Sequence, residues 1–331
     1  MPPSTDMLSG AGSPEPEKGQ HPFRILAPLD GSELAARALP IAEFLCRRLH
    51  GELHLVSSVP ILAATYSDPQ GYIPTELYQQ IEDDRVHAAS KYLDEAATAA
   101  RDSEGQPPLD VRIHLTHGDP TSRVLDIVSE ARIDLIVMTT HGRTGFARFA
   151  LGSVADRVVR DGAAPVLLIR SFAAPAPASP ELPTAQETQT QPVKLERALV
   201  PLDGSPQAEA PLFSLVPSLA GTVLHTVTLL RVANRRDGET GKRLCEQYLD
   251  GVRRRLTERL QGRECVVNQV VYSGANAAAT IVSNTAEGAY DFVLMATHGE
   301  AGIGRWAFGG VTDRVLRDGQ TPLILAHPPH R

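Results

Sequence analysis

Short unbroken apolar runs alternate along this chain with longer stretches in which apolar residues recur every third or fourth position. RILAPLD (Arg24–Asp30) is one such run, ending on a turn residue, and predicts a buried strand. SELAARALPIAEFLCRRL follows with helical spacing, and Gly51 stands where a C-cap would. ELHLVSSV predicts a second strand. A long helix follows in TELYQQIEDDRVHAASKYLDEAATAA, with Leu77, Ile81, Ala88, Tyr92, Ala96 and Ala100 on one side. VRIHLTHG, DLIVMTTHG and APVLLIR predict three further strands, separated by the helices TSRVLDIVSEAR and SVADRVVRDG. Nearly all-apolar strands alternating with helices imply a parallel sheet covered on both faces.

The pattern then starts again. ILAPLDGSELAARALPIA at Ile25 returns as ALVPLDGSPQAEAPLFSL at Ala198. DLIVMTTHGRTG at Asp134 returns as DFVLMATHGEAG at Asp291, and ADRVVRDGAAPVLLI at Ala155 as TDRVLRDGQTPLILA at Thr312. Three matched blocks in one order make the chain a duplication. In the second copy RLCEQYLDGVRRRLTERL is the long helix, its stripe made by Leu244, Tyr248, Val252, Leu256 and Leu260. The Pro-, Ala-, Thr- and Gln-rich stretch between the copies predicts an extended linker, and the polar first 20 residues a disordered tail. The expected division is tail 1–20, first domain 21–171, linker 172–193 and second domain 194–328. A single (β/α)₈ barrel is the alternative fold, and the repeat break argues against it.

Composition narrows the functional classes. A net charge of −7, with no long basic block, disfavours a nucleic-acid partner. No apolar stretch approaches the roughly 20 residues needed to cross a bilayer, and the N-terminus lacks a signal-peptide core, so the expectation is a cytoplasmic protein away from the membrane. Cys46, Cys245 and Cys265 form no CxxC pair and no metal spacing, which suits a reducing compartment. Cys46, inside IAEFLCRRL, reads as a small buried hydrophobe.

Ligands of open parallel sheets bind beyond the C-terminal strand ends, where strand order reverses. In the first copy that edge receives Pro28-Leu29-Asp30-Gly31-Ser32 and Met138-Thr139-Thr140-His141-Gly142. After nine further residues, Gly152-Ser153-Val154 open a helix. Glycine at a helix start admits a ligand to the backbone, and the first N–H groups of the helix have no internal partner; together with the dipole they form an anion site. The plainer reading is that Gly142 and Gly145 shape a turn, Ser153 caps its helix and Asp30 caps the preceding turn. Arg143 and Arg148 lie in the intervening loop, suited either to phosphate or to solvent. His141 and His298 come with no positioned acid, base or nucleophile, and no Walker A, GxSxG or HExxH pattern occurs.

APLDGS, MTTHG and HGRTGFARFALGSVADRVVRDGAAPVLLIR together closely resemble the universal stress protein family, over both copies but not the tail or linker. Gly142, Gly152 and Ser153 match the last three fixed positions of its nucleotide signature, G-x₂-G-x₉-G-S/T, while Thr139 replaces the first glycine. The resemblance implies two Rossmann-like α/β domains (adenine nucleotide alpha hydrolase-like), each a five-stranded parallel sheet of order 3-2-1-4-5. It implies an ATP site in which Asp30 faces the ribose or a Mg²⁺ ion and Pro28 lines the nucleoside. The Ser58 backbone would meet the adenine edge, and Met138, Thr139, Gly142, Gly152, Ser153 and Val154 would surround the phosphates.

Pro201, Asp203, Val232, Met295, Gly299, Gly309, Gly310 and Val311 are the second-copy equivalents, expected to bind more weakly. Gly310 lacks the Ser153 hydroxyl and Glu300 replaces Arg143, and the stretch Pro60–Gln80 shrinks to Ala233–Gly241. The resulting expectation is an ATP-binding stress-response or signalling protein, non-enzymatic or at most slowly hydrolysing. An ATPase or nucleotidyl-transfer enzyme of the same fold and a ligand-free structural pseudo-dimer are the alternatives. The apolar runs APVLLIR and TPLILAH are expected to pair within the chain as an intramolecular pseudo-dimer, or between chains as a homodimer.

Overall fold

The computed structural model describes residues 21–61, 75–102, 105–140, 151–170, 194–286, 288–298 and 308–327. The first half runs β1 (Arg24–Pro28), α1 (Glu33–Ala36), α2 (Leu39–Leu49), β2 (Glu52–Val59), α3 (Thr75–Arg101) and β3 (Asp110–His117). It continues through α4 (Pro120–Glu130), β4 (Leu135–Thr139), α5 (Ser153–Asp161) and β5 (Val166–Ile169). The second half comprises β6 (Arg197–Pro201), α6 (Pro206–Leu219), β7 (Thr226–Asn234), a 3-10 turn (Arg235–Asp237) and α7 (Gly238–Arg259). Then follow β8 (Val266–Gly274), α8 (Ala277–Ala286), β9 (Phe292–Ala296), α9 (Gly310–Asp318) and β10 (Leu323–Ala326). The tail 1–20 and the linker 172–193 lie outside the described residues.

All ten strands join one open sheet, ordered β3-β2-β1-β4-β5-β10-β9-β6-β7-β8, which is not a barrel. Every neighbouring pair is parallel except β5 and β10, which meet antiparallel with Leu323 opposite Leu168, Ile324 opposite Leu167 and Leu325 opposite Val166. Successive residues of a strand face opposite sides, so Ile25 and Ala27 enter one core and Leu26 the other. The first core lies under α2, α3, α6 and α7, through Leu45, Leu93, Leu212 and Leu249. The second lies under α4, α5, α8 and α9, through Val124, Val158, Ile281 and Val315. Both cores run through both halves.

The seam is also held by reciprocal helix capping. A helix leaves its last carbonyls without internal partners, and each half supplies donors to the other's last helix. Arg170, just after β5, donates through Nη2 to the Val315 carbonyl (2.9 Å) and through Nη1 to that of Leu316. His327, just after β10, pairs through Nε2 with the Val159 carbonyl at 2.6 Å. Burial lowers the Arg170 pKa to about 10, so the side chain stays a cation at neutral pH, as suits a helix C-terminus.

Two local features depart from the sequence pattern. The first predicted helix is broken into α1 and α2, with Pro40 in the first turn of α2, where its missing N–H does no harm. The second half carries its helix unbroken through Pro211 and Pro217. At the end of α2 the left-handed cap is His50 (φ 50°), not Gly51. Gly51 has a different reason to be glycine, since a Cβ there would collide with the Phe23 carbonyl oxygen. Cys46 is fully buried, as its apolar surroundings predict, and burial pushes its thiol far up. No helix among the described residues is long and apolar enough to cross a membrane.

Candidate functional site

The ligand edge of the first half begins where β1 stops. The Leu29 N–H donates to the Val56 carbonyl at 2.8 Å, extending the β1–β2 ladder one residue past Pro28. The chain then turns through Gly31 at φ 79°, a conformation glycine adopts without strain. Asp30 Oδ1 accepts from the Ser32 N–H (2.9 Å) and from Ser32 Oγ (2.6 Å), and Ser32 Oγ itself caps α1 by accepting from the Ala35 N–H at 3.1 Å. Asp203, Gly204 (φ 94°), Ser205 and Ala208 repeat this turn at 2.9, 2.6 and 3.1 Å. The plainer reading of Asp30, as a turn residue, thus accounts for one carboxylate oxygen.

The second wall comes from β4. Met138, Thr139 and Thr140 are buried at the strand end, and the Thr140 N–H donates to the Ile169 carbonyl at 3.0 Å. The Gly152 N–H returns to the Thr140 carbonyl at 2.7 Å, pinning the start of α5 to the end of β4. Gly152 is the N-cap (φ −59°, ψ 151°), and among the described residues no side chain caps α5. The Gly152 carbonyl accepts from the Asp156 N–H at 2.8 Å. The amides of Ser153 and Val154 thus open a helix whose first turn is electropositive and carries no side-chain cap from the described residues. In the second half Thr297, Gly309 and Asp313 repeat the arrangement at 2.9 and 2.9 Å, beside buried Met295. There α9 starts from Gly310, where a Cβ would meet nothing within 4 Å, and Val311 is 40% exposed. The glycine at 310 is therefore not demanded by space.

The β2 ends differ. Ser58 Oγ donates to the Gly118 carbonyl at 3.0 Å, tying β2 to β3, whereas Val232 has no such group. Gly142, Gly145, Gly299, Glu300, Arg143, Arg148, His141 and most of Pro60–Gln80 lie outside the described residues. His298 is described: its Nδ1 lies 3.2 Å from Thr297 Oγ1, which lies 3.2 Å from His327 Nδ1. That places it in the chain of contacts at the seam.

Three residues at this edge escape the sequence argument. Tyr92 and Tyr248, read there only as members of apolar stripes, have their phenol pKa values raised by burial first. The charge of Asp30 adds to the shift of Tyr92, and a 2.8 Å hydrogen bond to Glu209 and the charge of Asp203 add to that of Tyr248. Arg231 on β7 is the third. Its sequence signal is a lone cation inside the apolar run TVTLLRVA.

Fold and strand ends together define a doubly wound α/β protein whose two halves share one sheet. The chain belongs to the universal stress protein family, whose model matches residues 23–170 and again 194–327. A universal stress protein of Bacillus subtilis is 27% identical over 149 residues, 44% of this chain and 98% of that protein. One of Methanocaldococcus jannaschii is 26% identical over 151 residues, 44% of this chain and 81% of its own length. The solved universal stress protein of Archaeoglobus fulgidus superimposes over 92% of this chain and 98% of its own, with TM-score 0.62 and 16% identity, a likeness of fold.

Proposed function

We propose that this chain is an ATP-binding stress-response or signalling protein that works by nucleotide occupancy and not by turnover, with its principal site on the first half. The observation that carries the reading is the glycine-started N-terminus of α5, pinned to the end of β4 by the Gly152 N–H. Amides so arranged suit phosphate oxygens. Pro28, Asp30 and the Ser58 backbone form the nucleoside side of this site, and Met138, Thr139, Gly142, Gly152, Ser153 and Val154 the phosphate side. The second-half residues Pro201, Asp203, Val232, Met295, Gly299, Gly309, Gly310 and Val311 form a weaker counterpart.

Among the described residues no group of three or more His, Cys, Asp or Glu is placed to hold a metal. Mg²⁺ nevertheless fits beside Asp30, because it is commonly held by one or two carboxylates together with substrate phosphates and water. When bound it would neutralise phosphate charge. The domains on this reading are 21–171 and 194–328, docked through β5 and β10 as an intramolecular pseudo-dimer, and the protein acts in the cytoplasm without nucleic acid or membrane.

Calorimetric titration of the whole chain with Mg-ATP tests the reading. Gly152→Val places a side chain at the phosphate approach and should remove most binding, about tenfold or more in affinity. Gly309→Val should matter less. No heat up to millimolar nucleotide would refute ATP binding, and greater damage from Gly309→Val would reverse the assignment of the sites.

A further inference from the structure

The β-ladders place Arg231 where the first half has Ser57. Pro28 pairs with Val56 and Pro201 with Leu230, so the next residues along β2 and β7 are Ser57 and Arg231. Residues at this alternation point toward α3 in one half and α7 in the other, and the Arg231 guanidinium lies 4.8 Å from the centre of the Tyr248 ring. Its other side rests on the Asp203–Gly204–Ser205 turn. A Cβ added to Gly204 would collide with Nη1 and lie 3.0 Å from Nη2 and 3.1 Å from Cζ. Nη1 is buried and has no hydrogen-bond partner among the described residues.

A buried charged N–H without an acceptor is costly, so the guanidinium is held by other forces. Tyr248 supplies a ring face, and Asp203, acting on the same phenol, supplies negative charge nearby. Glu209 accepts from the Tyr248 hydroxyl (2.8 Å) and from Arg255 Nη2 (2.7 Å), fixing the ring on which Arg231 stacks. In the first half the corresponding register position carries the buried hydroxymethyl group of Ser57.

We propose that Arg231 is a built-in occupant of the second ligand edge: its guanidinium lies over the Asp203–Gly204 turn, at the register position where the first half carries the short side chain of Ser57. One half then accepts nucleotide, and in the other the protein's own side chain competes with it, which is what makes the second half the weaker counterpart. The inference deepens the ATP reading and rests on it for the identity of the ligand. It makes residue 231, more than the loss of the hydroxyl at 310, the determinant of which half binds.

Titration of the full chain with Mg-ATP, read as stoichiometry, tests it. Wild type should bind one equivalent, Arg231→Ser two, and Gly152→Val/Arg231→Ser one. If Arg231→Ser still binds a single equivalent that Gly152→Val removes, the plug is refuted. If wild type binds two and Arg231→Ser only one, Arg231 is a ligand contact and the plug is again refuted. A chain that binds none as wild type but one as Arg231→Ser would sink the first-half reading and keep the plug; none in either would sink both. The reciprocal Ser57→Arg does not depend on Arg231→Ser folding. It should weaken first-half binding by about tenfold or more, and an unchanged affinity would overturn the proposal.

Discussion

The two halves agree where the backbone must turn and disagree where side chains meet under the sheet. The Asp30 and Asp203 turns match to a tenth of an ångström, as do their ladder bonds to Val56 and Leu230. Behind β2 and β3 the resemblance stops. Glu52, His54, Arg112 and His114 there correspond through the strand registers to Thr226, Thr228, Asn268 and Val270. In the first half Glu52 accepts from Arg24 Nε (3.0 Å) and Arg112 Nε (2.6 Å), and His54 Nδ1 lies 2.9 Å from His114 Nε2 with the rings stacked. A turn with φ above zero and a side-chain cap admits few sequences, whereas this buried strand face admits either a network of polar side chains or short neutral residues. Duplication kept the first constraint and let the second drift.

The largest expected effect tests whether the halves can be compared as separate bodies at all. Leu168 is fully buried opposite Leu323 on the β5–β10 seam. Leu168→Asp puts an unpaired carboxylate there and should cost about 3 kcal/mol or more. Urea unfolding checks the loss, and hydrogen exchange checks that protection falls in both halves, since both cores cross the seam. A monomer of unchanged midpoint would show that the halves stand independently and that the seam contributes nothing.

A smaller effect separates the halves by pH. Burial lowers the pKa values of His54 and His114, against the opposing pull of Glu52 on both and of Glu130 on His114. The unfolded chain therefore takes up protons at a higher pH than the folded one. Stability from this pair is present above about 6.5 and is lost as pH falls below it, toward the lower folded values, by at most about 1.4 kcal/mol per pH unit for each histidine. Burial alone would raise Glu52, but Arg112, His54 and Arg24 outweigh it and hold its pKa low, so its contribution fades only below its ordinary 4.5. The chain should thus lose stability between pH 7 and 5.5 through this pair in the first half, which the second replaces with Thr228 and Val270. His54→Thr combined with His114→Val should flatten the profile. A urea-unfolding profile whose loss of stability in acid the double variant leaves unchanged would contradict the assignment.

Much of this architecture is legible in the sequence because its causes are local or periodic. The strand runs, the helical stripes and the Pro-Leu-Asp-Gly-Ser turn each record a constraint acting within a few residues. Pro40, which lacks an N–H, stands at the break in a helix that the spacing alone predicts as continuous, yet Pro211 and Pro217 are tolerated because tertiary burial of α6 overrides propensity. His50 takes the left-handed cap while Gly51 answers to Phe23, a residue far away in sequence that no spacing rule points to. The role of Arg231 is hidden for a similar reason. One cation in an apolar run says that a partner is needed, but Tyr248 and Gly204 become its neighbours only when β7, α7 and β6 come together.

The smallest effect probes the place where the halves agree. Ser32 and Ser205 each cap a helix through Oγ and give the same hydrogen to an aspartate, so Ser32→Ala and Ser205→Ala remove the same two bonds. Each should cost about 1 kcal/mol, the usual worth of an N-cap hydroxyl. A modest asymmetry follows from burial. Ser205 is only 4% exposed and its bond to the Ala208 N–H is buried, so that amide cannot turn to water, while the Ser32 turn is partly open. Ser205→Ala should therefore be the costlier of the two by a few tenths of a kcal/mol. Thermal and urea unfolding of the two variants check the order. If Ser32→Ala proves costlier instead, the hydroxyl in the first half is bearing on more than its cap, and the likeness of the two turns is one of geometry without being one of energy.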